Sequence, residues 1–127
     1  MQQVPGLIIV NDSEKGRSVY TTRALQPGDT IEICPVIIIP EKEVAAIHAT
    51  VLHDYYFEWP DDTGRIAIAL GYGSLYNHHP QPAARFIMDL DRAEMIVECK
   101  QALSPGDEIT IDYTGNEEGD TWFTVVE

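Results

Sequence analysis

Positive charge is scarce in this chain. Eight lysine and arginine residues stand against 21 aspartate and glutamate residues, so the 127 residues carry a formal net charge of −13. Such a surface repels nucleic acids and anionic membranes, because both carry dense negative charge. It favours basic partners instead, although an acidity that serves only solubility or a salt-rich habitat explains the composition equally well.

Long apolar runs and a leader pattern are also missing. A membrane helix needs about 20 apolar residues, whereas apolar stretches such as 36–39 have only the length of a strand. The N-terminus has no basic region ahead of an apolar one, so we expect no signal peptide and a cytoplasmic location, or a nuclear one in a eukaryotic host. The length and an apolar content of 44% suit one domain with a single core.

The cysteines, the histidines and the common catalytic motifs give little evidence for a metal site or a hydrolase. Cys34 and Cys99 lie far apart without a Cys-x-x-Cys spacing, which indicates reduced buried thiols rather than a structural zinc, with a disulfide left open. His78 and His79 are adjacent, and neighbours on an extended chain point to opposite faces, so they rarely share one ion. His-Glu-x-x-His and Gly-x-Ser-x-Gly do not occur. We therefore expect no metal in the site.

The remaining pattern predicts a chain made mostly of strands. One helix is predicted over 41–54, because Val44, Ile47, Val51 and Leu52 fall at helical spacing behind two glutamates in the first turn. A β-branched strand at 30–39 is predicted to break at Pro35. The other predicted strands are 7–10, 18–22, 65–70, a hairpin of 85–90 with 94–99, and 108–113.

One segment of the sequence occurs twice. Residues 24–33, ALQPGDTIEI, recur as 102–111, ALSPGDEITI. Proline fixes φ and glycine accepts a positive φ, so each Pro-Gly-Asp predicts a tight turn that leads into a strand.

The stretch GSLYNHHPQPAAR at 73–85 predicts a bend followed by a rigid extended segment. Pro80 and Pro82 restrict the residues before them to extended conformations, and glycines precede the stretch. Such a segment can approach another backbone closely and offer main-chain groups and the amide of Asn77 to a ligand. Tyr113 ends the last predicted strand, where the local pattern alone favours an ordinary core tyrosine.

Taken in order, these segments resemble the SET domain of protein lysine methyltransferases. The resemblance rests on Gly16-Arg17-Ser18-Val19-Tyr20 with the first Ala-Leu-x-Pro-Gly-Asp, on Tyr76-Asn77-His78-His79, and on Gly-Asp-Glu-Ile-Thr-Ile-Asp-Tyr at 106–113. It runs from about residue 6 to 113, within a single domain over 1–127, and is closest in length to minimal viral and bacterial members. It implies a mainly β (α+β) β-clip fold with several small sheets, a knot-like threaded C-terminal segment and one or two short helices.

The resemblance also assigns residues to a site for S-adenosylmethionine and lysine. It implies that Tyr113 is the catalytic tyrosine. The implied cofactor-binding residues are Gly16, Arg17, Ser18, Asn77 and His78, and those of the substrate channel are Tyr55, Tyr72, Ile111 and Trp122. The zinc-binding cysteines that follow the domain in many relatives are absent, and the tail 114–127, through Trp122 and Phe123, is expected to close the site instead.

Three positions depart from the family pattern. Ser18 replaces a glycine, His79 a serine and Ala83 an asparagine. Ile111 stands where the family often carries an aromatic residue, and the resemblance implies that its smaller aliphatic side chain leaves room for di- or trimethylation. The resemblance implies an S-adenosylmethionine-dependent protein-lysine N-methyltransferase acting on a basic protein or tail, histone-like or other. The alternatives are a catalytically weak SET module that binds basic peptides and, less favoured, a metal hydrolase. The apolar tail and small size also predict a homodimer.

Overall fold

The computed structural model describes residues 5–12 and 16–113. Within these ranges the chain forms nine strands, one α-helix and one 3₁₀ helix. The strands are β1 (Leu7–Asp12), β2 (Gly16–Thr21), β3 (Thr30–Ile39), β4 (Tyr56–Glu58), β5 (Ile66–Ala69), β6 (Asn77–His78), β7 (Ala84–Asp89), β8 (Glu94–Cys99) and β9 (Thr110–Ile111). The helices are α1 (Glu41–His48) and the 3₁₀ helix Val51–Asp54. No helix in the described ranges is long and apolar enough to cross a membrane.

These strands assemble into three small sheets, which confirms the predicted mainly β fold. β1 and β2 form an antiparallel pair, and β6 pairs with β9 in parallel. The largest sheet has the order β4-β5-β3-β8-β7, with every neighbouring pair antiparallel. β7 and β8 form the predicted hairpin, and Ala93 adopts a positive φ of 53° in its turn.

The predicted break of the 30–39 strand at Pro35 is wrong, because β3 continues through the proline. β3 pairs with β8 as far as Pro35 and with β5 from Val36 onward. The proline therefore lies where the strand changes partner, a position at which a missing N–H removes little from either ladder. Its carbonyl still accepts a hydrogen bond from the amide of Leu70 at 2.9 Å.

The predicted helix 41–54 is shorter than expected and is followed by a separate turn. α1 ends at His48, and Thr50 is extended, with φ −111° and ψ 177°. The Thr50 hydroxyl donates to the carbonyl of Ile47 at 2.6 Å and accepts the amide of Leu52 at 3.2 Å. This side chain ends one helix and caps the next, which is a role that threonine fills readily.

The last predicted strand, 108–113, is also shorter. Only Thr110–Ile111 pair regularly, although Glu108 forms an isolated bridge with Tyr20. The partner strand β6 has only two residues, because the chain bends away at Pro80.

The two Ala-Leu-x-Pro-Gly-Asp segments pair with each other. Leu25 and Leu103 exchange both backbone hydrogen bonds at 2.9 Å. Asp29 and Asp107 each accept the amide N–H three residues earlier, at 2.9 and 2.8 Å, which closes the two predicted turns in the same way. The glycine of each turn donates at 2.8 Å to the strand end that precedes the other copy. This reciprocal pairing joins the ends of β2 and β8.

The main core lies between the five-stranded sheet and the segments that cross it. It includes Cys34, Phe86, Met95 and Val97 from the sheet and Ile111 from β9. A second, smaller cluster of Ile39, Tyr56 and Ile66 lies on the opposite face of the sheet, under α1.

We expect Gly73→Ala to destabilise the fold by about 1–3 kcal/mol, the usual cost of overpacking a core. A Cβ at Gly73 would lie 2.6 Å from the Cβ of Ala69 and 2.9 Å from the Sγ of Cys34. Urea unfolding of the wild type and the variant measures the difference. An unchanged midpoint would show that the turn can move off the sheet without loss.

Candidate active site

Tyr113 is held against the segment that begins at Tyr76. Its hydroxyl donates to the main-chain carbonyl of Tyr76 at 2.5 Å. Its amide donates to Nδ1 of His78 at 3.0 Å, and the two rings lie 5.2 Å apart. The phenol is therefore fixed at its hydroxyl and at its backbone, and it is not an ordinary core tyrosine packed only by apolar contacts.

The amide of Asn77 is held by side chains from two other parts of the chain. Its Nδ2 donates to Oγ of Ser18 on β2 at 3.0 Å and to Oε2 of Glu108 at 2.8 Å. Ser18 is fully buried, so its hydroxyl is hydrogen-bonded to Asn77 and not to solvent. Both amide hydrogens are used in this way, and Oδ1 is the atom of the side chain with which Asn77 can accept a hydrogen bond from a ligand.

The parallel pairing of β6 and β9 brings these residues together. The amide of His79 donates to the carbonyl of Ile111 at 2.9 Å, and the amide of Ala83 donates to Oγ1 of Thr110 at 3.1 Å. Asn77–His78 are the part of this stretch that pairs with β9 as a strand, and bends follow at Pro80, Gln81 and Ala83. The extended segment predicted from the prolines is therefore shorter than expected.

The two histidines of this segment make different local contacts. Nδ1 of His78 accepts the Tyr113 amide and lies 3.7 Å from Oδ1 of Asp112. Nδ1 of His79 accepts the amide of Gln81 at 2.9 Å. In the part of the chain that the structure describes, no group of three histidine, cysteine, aspartate or glutamate side chains could hold a metal ion.

Two clefts meet at Asn77 and Tyr113. The first has a volume of about 600 Å³. Its lining consists of Asn11, Gly16, Arg17, Asp54, Tyr55, Ser74, Leu75, Asn77 and Tyr113. The second, of about 470 Å³, is lined by Asn77, His78, His79, Glu108, Thr110 and Tyr113. A narrow cavity of about 10 Å³ adjoins the first cleft, and its walls include Asp54, Tyr55, Ser74 and Tyr113.

Most of the residues selected from the sequence therefore lie around one site. Gly16, Arg17, Tyr55, Asn77 and Tyr113 line the first cleft, and His78 lines the second. Ser18 does not line the first cleft, but its hydroxyl accepts a hydrogen bond from Asn77, which does.

Two of the predicted channel residues lie elsewhere, and a third lies outside the described residues. Tyr72 and Ile111 belong to the buried core and line none of the three cavities. Trp122, with the tail 114–127 that was expected to close the site, lies outside the described residues.

Sequence reasoning missed several residues that line or support the site. Asp54 and Ser74 lie in both the first cleft and the narrow cavity, and Glu108 holds Asn77. Each lies inside a motif that was noticed for other residues, so proximity to those motifs was the available signal. Glu32 was missed as well, and it occupies the same place in the first repeat as Thr110 does in the second.

A buried carboxylate lies directly behind the site. Glu32 is 8% exposed, and it accepts the hydroxyl of Tyr76 at 2.6 Å and the amide of Tyr72 at 2.9 Å. Burial, reinforced by this carboxylate, raises the pKa of Tyr76 far above its usual range. The same two causes raise the pKa of Cys34, so this thiol stays protonated.

We expect Ser18→Ala to cost about 1–3 kcal/mol in the free energy of unfolding, because it leaves a buried amide hydrogen of Asn77 without its acceptor. Ser104→Ala, at an exposed position in the second turn, is the matched control and should leave stability unchanged. Urea unfolding of both variants measures the difference. Equal stability of the two would mean that water replaces the Ser18 hydroxyl.

Known proteins match this chain in sequence and in structure. The SET domain family model matches residues 16–114. A Schizosaccharomyces pombe protein named histone-lysine N-methyltransferase, H3 lysine-37 specific, is 36% identical over 76 residues, which are 58% of this chain and 50% of the relative. The chain thus spans about half the length of that relative. A crystal structure of a Plasmodium falciparum protein, described as a candidate histone methyltransferase, superposes with a TM-score of 0.68 at 27% identity and covers 89% of this chain and 95% of its own.

Proposed function

Because this chain belongs to the SET domain family, we propose that it is an S-adenosylmethionine-dependent protein-lysine N-methyltransferase. The observation that carries the proposal is the meeting of Gly16, Arg17, Asn77 and Tyr113 around one cleft. These residues come from three separate parts of the chain, and the family motifs that they occupy were recognised independently of their contacts.

The first cleft has the properties that such a cofactor needs. Its volume of about 600 Å³ lies in the range of roughly 300–1,000 Å³ that is usual for small-molecule sites. Arg17 supplies a cation, Asn77 an acceptor and Gly16 an accessible backbone, while His78 lines the adjoining cleft. When bound there, S-adenosylmethionine would supply an electrophilic methyl group on a positively charged sulfur.

The residues around Tyr113 suit the orientation of an amine. Lysine in water has a pKa near ~10.4 and must lose its proton before it can attack. The narrow cavity between Tyr55, Ser74 and Tyr113 would lower that pKa by desolvation. The Tyr113 hydroxyl donates to the Tyr76 carbonyl, so its oxygen can accept an N–H of the amine and direct its lone pair. A tyrosine hydroxyl that already donates a hydrogen bond is a weak base, which makes orientation the better role for Tyr113.

We propose a basic, lysine-rich tail as the substrate. The net charge of −13 attracts such a segment over distance. Asp54 is exposed and lines both the first cleft and the narrow cavity. Its carboxylate can therefore form an ion pair with the ammonium group of a lysine that enters the cavity. The named activity of the Schizosaccharomyces pombe relative makes a histone-like tail the first class to test.

Two of the predicted channel residues lie in the core and not in the walls of the clefts. Tyr72 and Ile111 would shape the channel from the core behind Tyr113, so a change at Ile111 would alter product methylation indirectly. The single domain over 1–127, closure of the site by Trp122 and homodimer formation also remain predictions.

We expect the wild-type protein to bind S-adenosylmethionine in a calorimetric titration and Asn77→Ala to bind at least about tenfold more weakly, a loss of roughly 1.4 kcal/mol. Gln81→Ala is the control, because Gln81 is exposed and lies outside both clefts at Asn77. Absence of binding by the wild type, both alone and with a lysine-rich peptide, would contradict the cofactor assignment and favour a module that only binds peptides.

We expect Tyr113→Phe to lower kcat for methyl transfer to lysine-rich histones by about 100-fold, the scale of losing one preorganised polar group. Its affinity for the cofactor should remain near that of the wild type, because Asn77 is untouched. Mass spectrometry of the products measures the rate and the number of methyl groups added. Tyr20→Phe is the control, at a half-buried tyrosine of β2 that lines neither cleft. Full activity of Tyr113→Phe would remove Tyr113 from the mechanism.

A further inference from the structure

Glu32 is a buried acid without a basic partner in the described part of the chain. No lysine, arginine or histidine nitrogen of residues 5–12 and 16–113 lies within ion-pair distance of it. Burial of a carboxylate is expensive unless hydrogen bonds compensate it. Here one carboxylate oxygen accepts the Tyr76 hydroxyl and the other accepts the Tyr72 amide. A buried carboxylate in a strand of the main sheet therefore calls for an explanation.

The turn that follows β5 is fitted closely around this carboxylate. Gly71 has a φ of +64°, and a Cβ there would lie 2.3 Å from Oε2 of Glu32. Only glycine accommodates both that backbone conformation and that approach. The two oxygens of Glu32 therefore clamp the turn at two points four residues apart, at Tyr72 and Tyr76.

Tyr76 connects this clamp to the proposed site. Its ring is fully buried, with its hydroxyl on Glu32, and its main-chain carbonyl accepts the Tyr113 hydroxyl at 2.5 Å. Tyr76 also immediately precedes Asn77. A shift of its ring along the direction of the Glu32 bond would carry the carbonyl with it, because one Cα joins the two.

We propose that Glu32 is a positioning residue: by holding the Tyr76 hydroxyl, it fixes the main-chain carbonyl to which Tyr113 donates, and so sets the Tyr113 hydroxyl for the reaction. This inference rests on the proposed function. A short hydrogen bond to a carboxylate is directional, whereas apolar packing alone would leave the ring free to slide along its own axis. Errors of about 1 Å in the placement of a reacting group can cost on the order of a hundredfold in rate, which makes such a constraint worth the cost of burying Glu32.

The first test compares three variants in the full chain. Tyr76→Phe removes the hydroxyl and keeps the ring, and Glu32→Gln keeps the shape and removes the charge. Met88→Ala is the matched control, because Met88 is a buried side chain of the same main core and its loss leaves the hydrogen bond between Glu32 and Tyr76 in place. We expect kcat to fall on the order of tenfold or more in the first two variants, with a nearly unchanged Kd for S-adenosylmethionine, and to stay near wild type in the control.

A second measurement reports on the position of Tyr113 without depending on methyltransferase activity. Tyrosine labelled with ¹³C at the ζ carbon reports the hydrogen bond of each phenol, and Tyr113→Phe identifies the Tyr113 signal among the six tyrosines. We expect the Tyr113 signal to move in Tyr76→Phe and Glu32→Gln and to stay in place in Met88→Ala. If either single variant fails to fold, the double variant Glu32→Gln/Tyr76→Phe removes both partners together, which is the less damaging change.

The outcomes separate this proposal from the proposed function. A wild type that transfers no methyl group, with a Tyr113 signal that follows Glu32 and Tyr76, supports the positioning role and rejects the methyltransferase. An active enzyme whose Tyr113 signal is unmoved in both variants overturns the positioning role. An equal loss of kcat in Met88→Ala also overturns it, because the effect would then be a general loss of packing.

Discussion

The parallel contact between β6 and β9 is only two residues long, yet the geometry of the proposed site depends on it. It places Asn77 and His78 beside Thr110 and Ile111, more than 30 positions later in the chain. From this contact Tyr113 reaches back to the Tyr76 carbonyl and Asn77 reaches across to Glu108. Two strands of this length have little stability of their own. They are held because Ile109 and Ile111 are fully buried in the main core and because the paired Pro-Gly-Asp turns fix where the second repeat begins.

Polar groups inside the molecule are arranged to hold other polar groups. Ser18 and Glu108 fix the amide of Asn77, and Glu32 fixes the hydroxyl of Tyr76. Each bond contributes modestly to stability when made, but each leaves an expensive unsatisfied group when one partner is removed. This asymmetry favours a single arrangement of the site over several loosely packed ones, which is the property that the proposed methyl transfer to a positioned amine requires.

The acidic residues of the surface act differently from the buried carboxylate of Glu32. Its excess of carboxylates acts over distances of about a Debye length and attracts positive charge without specifying any contact. The buried carboxylate of Glu32 acts over less than 3 Å and makes two contacts. The acidic composition of the chain thus combines long-range attraction at the surface with short-range fixation inside, and the count of charges alone cannot distinguish the two.

Local patterns in the sequence were sufficient for the features that depend on neighbouring residues. The β7–β8 hairpin and the two Pro-Gly-Asp turns follow from backbone preferences that act within a few residues. The ordered motifs were specific enough to identify the family. The end of α1 at His48 and the passage of β3 through Pro35 were mispredicted, because a threonine cap and a change of strand partner override local propensity.

The sequence by itself determined the strands, the turns and the family, since these depend on residue type and order. Only the tertiary structure decided which residues meet: that Ser18 supports Asn77 from behind, that Tyr72 and Ile111 lie in the core, and that Glu32 holds Tyr76. These contacts join residues up to 59 positions apart. The chain pattern carries no signal for them, because a buried hydrogen bond depends on distances that exist only after the three sheets have packed together.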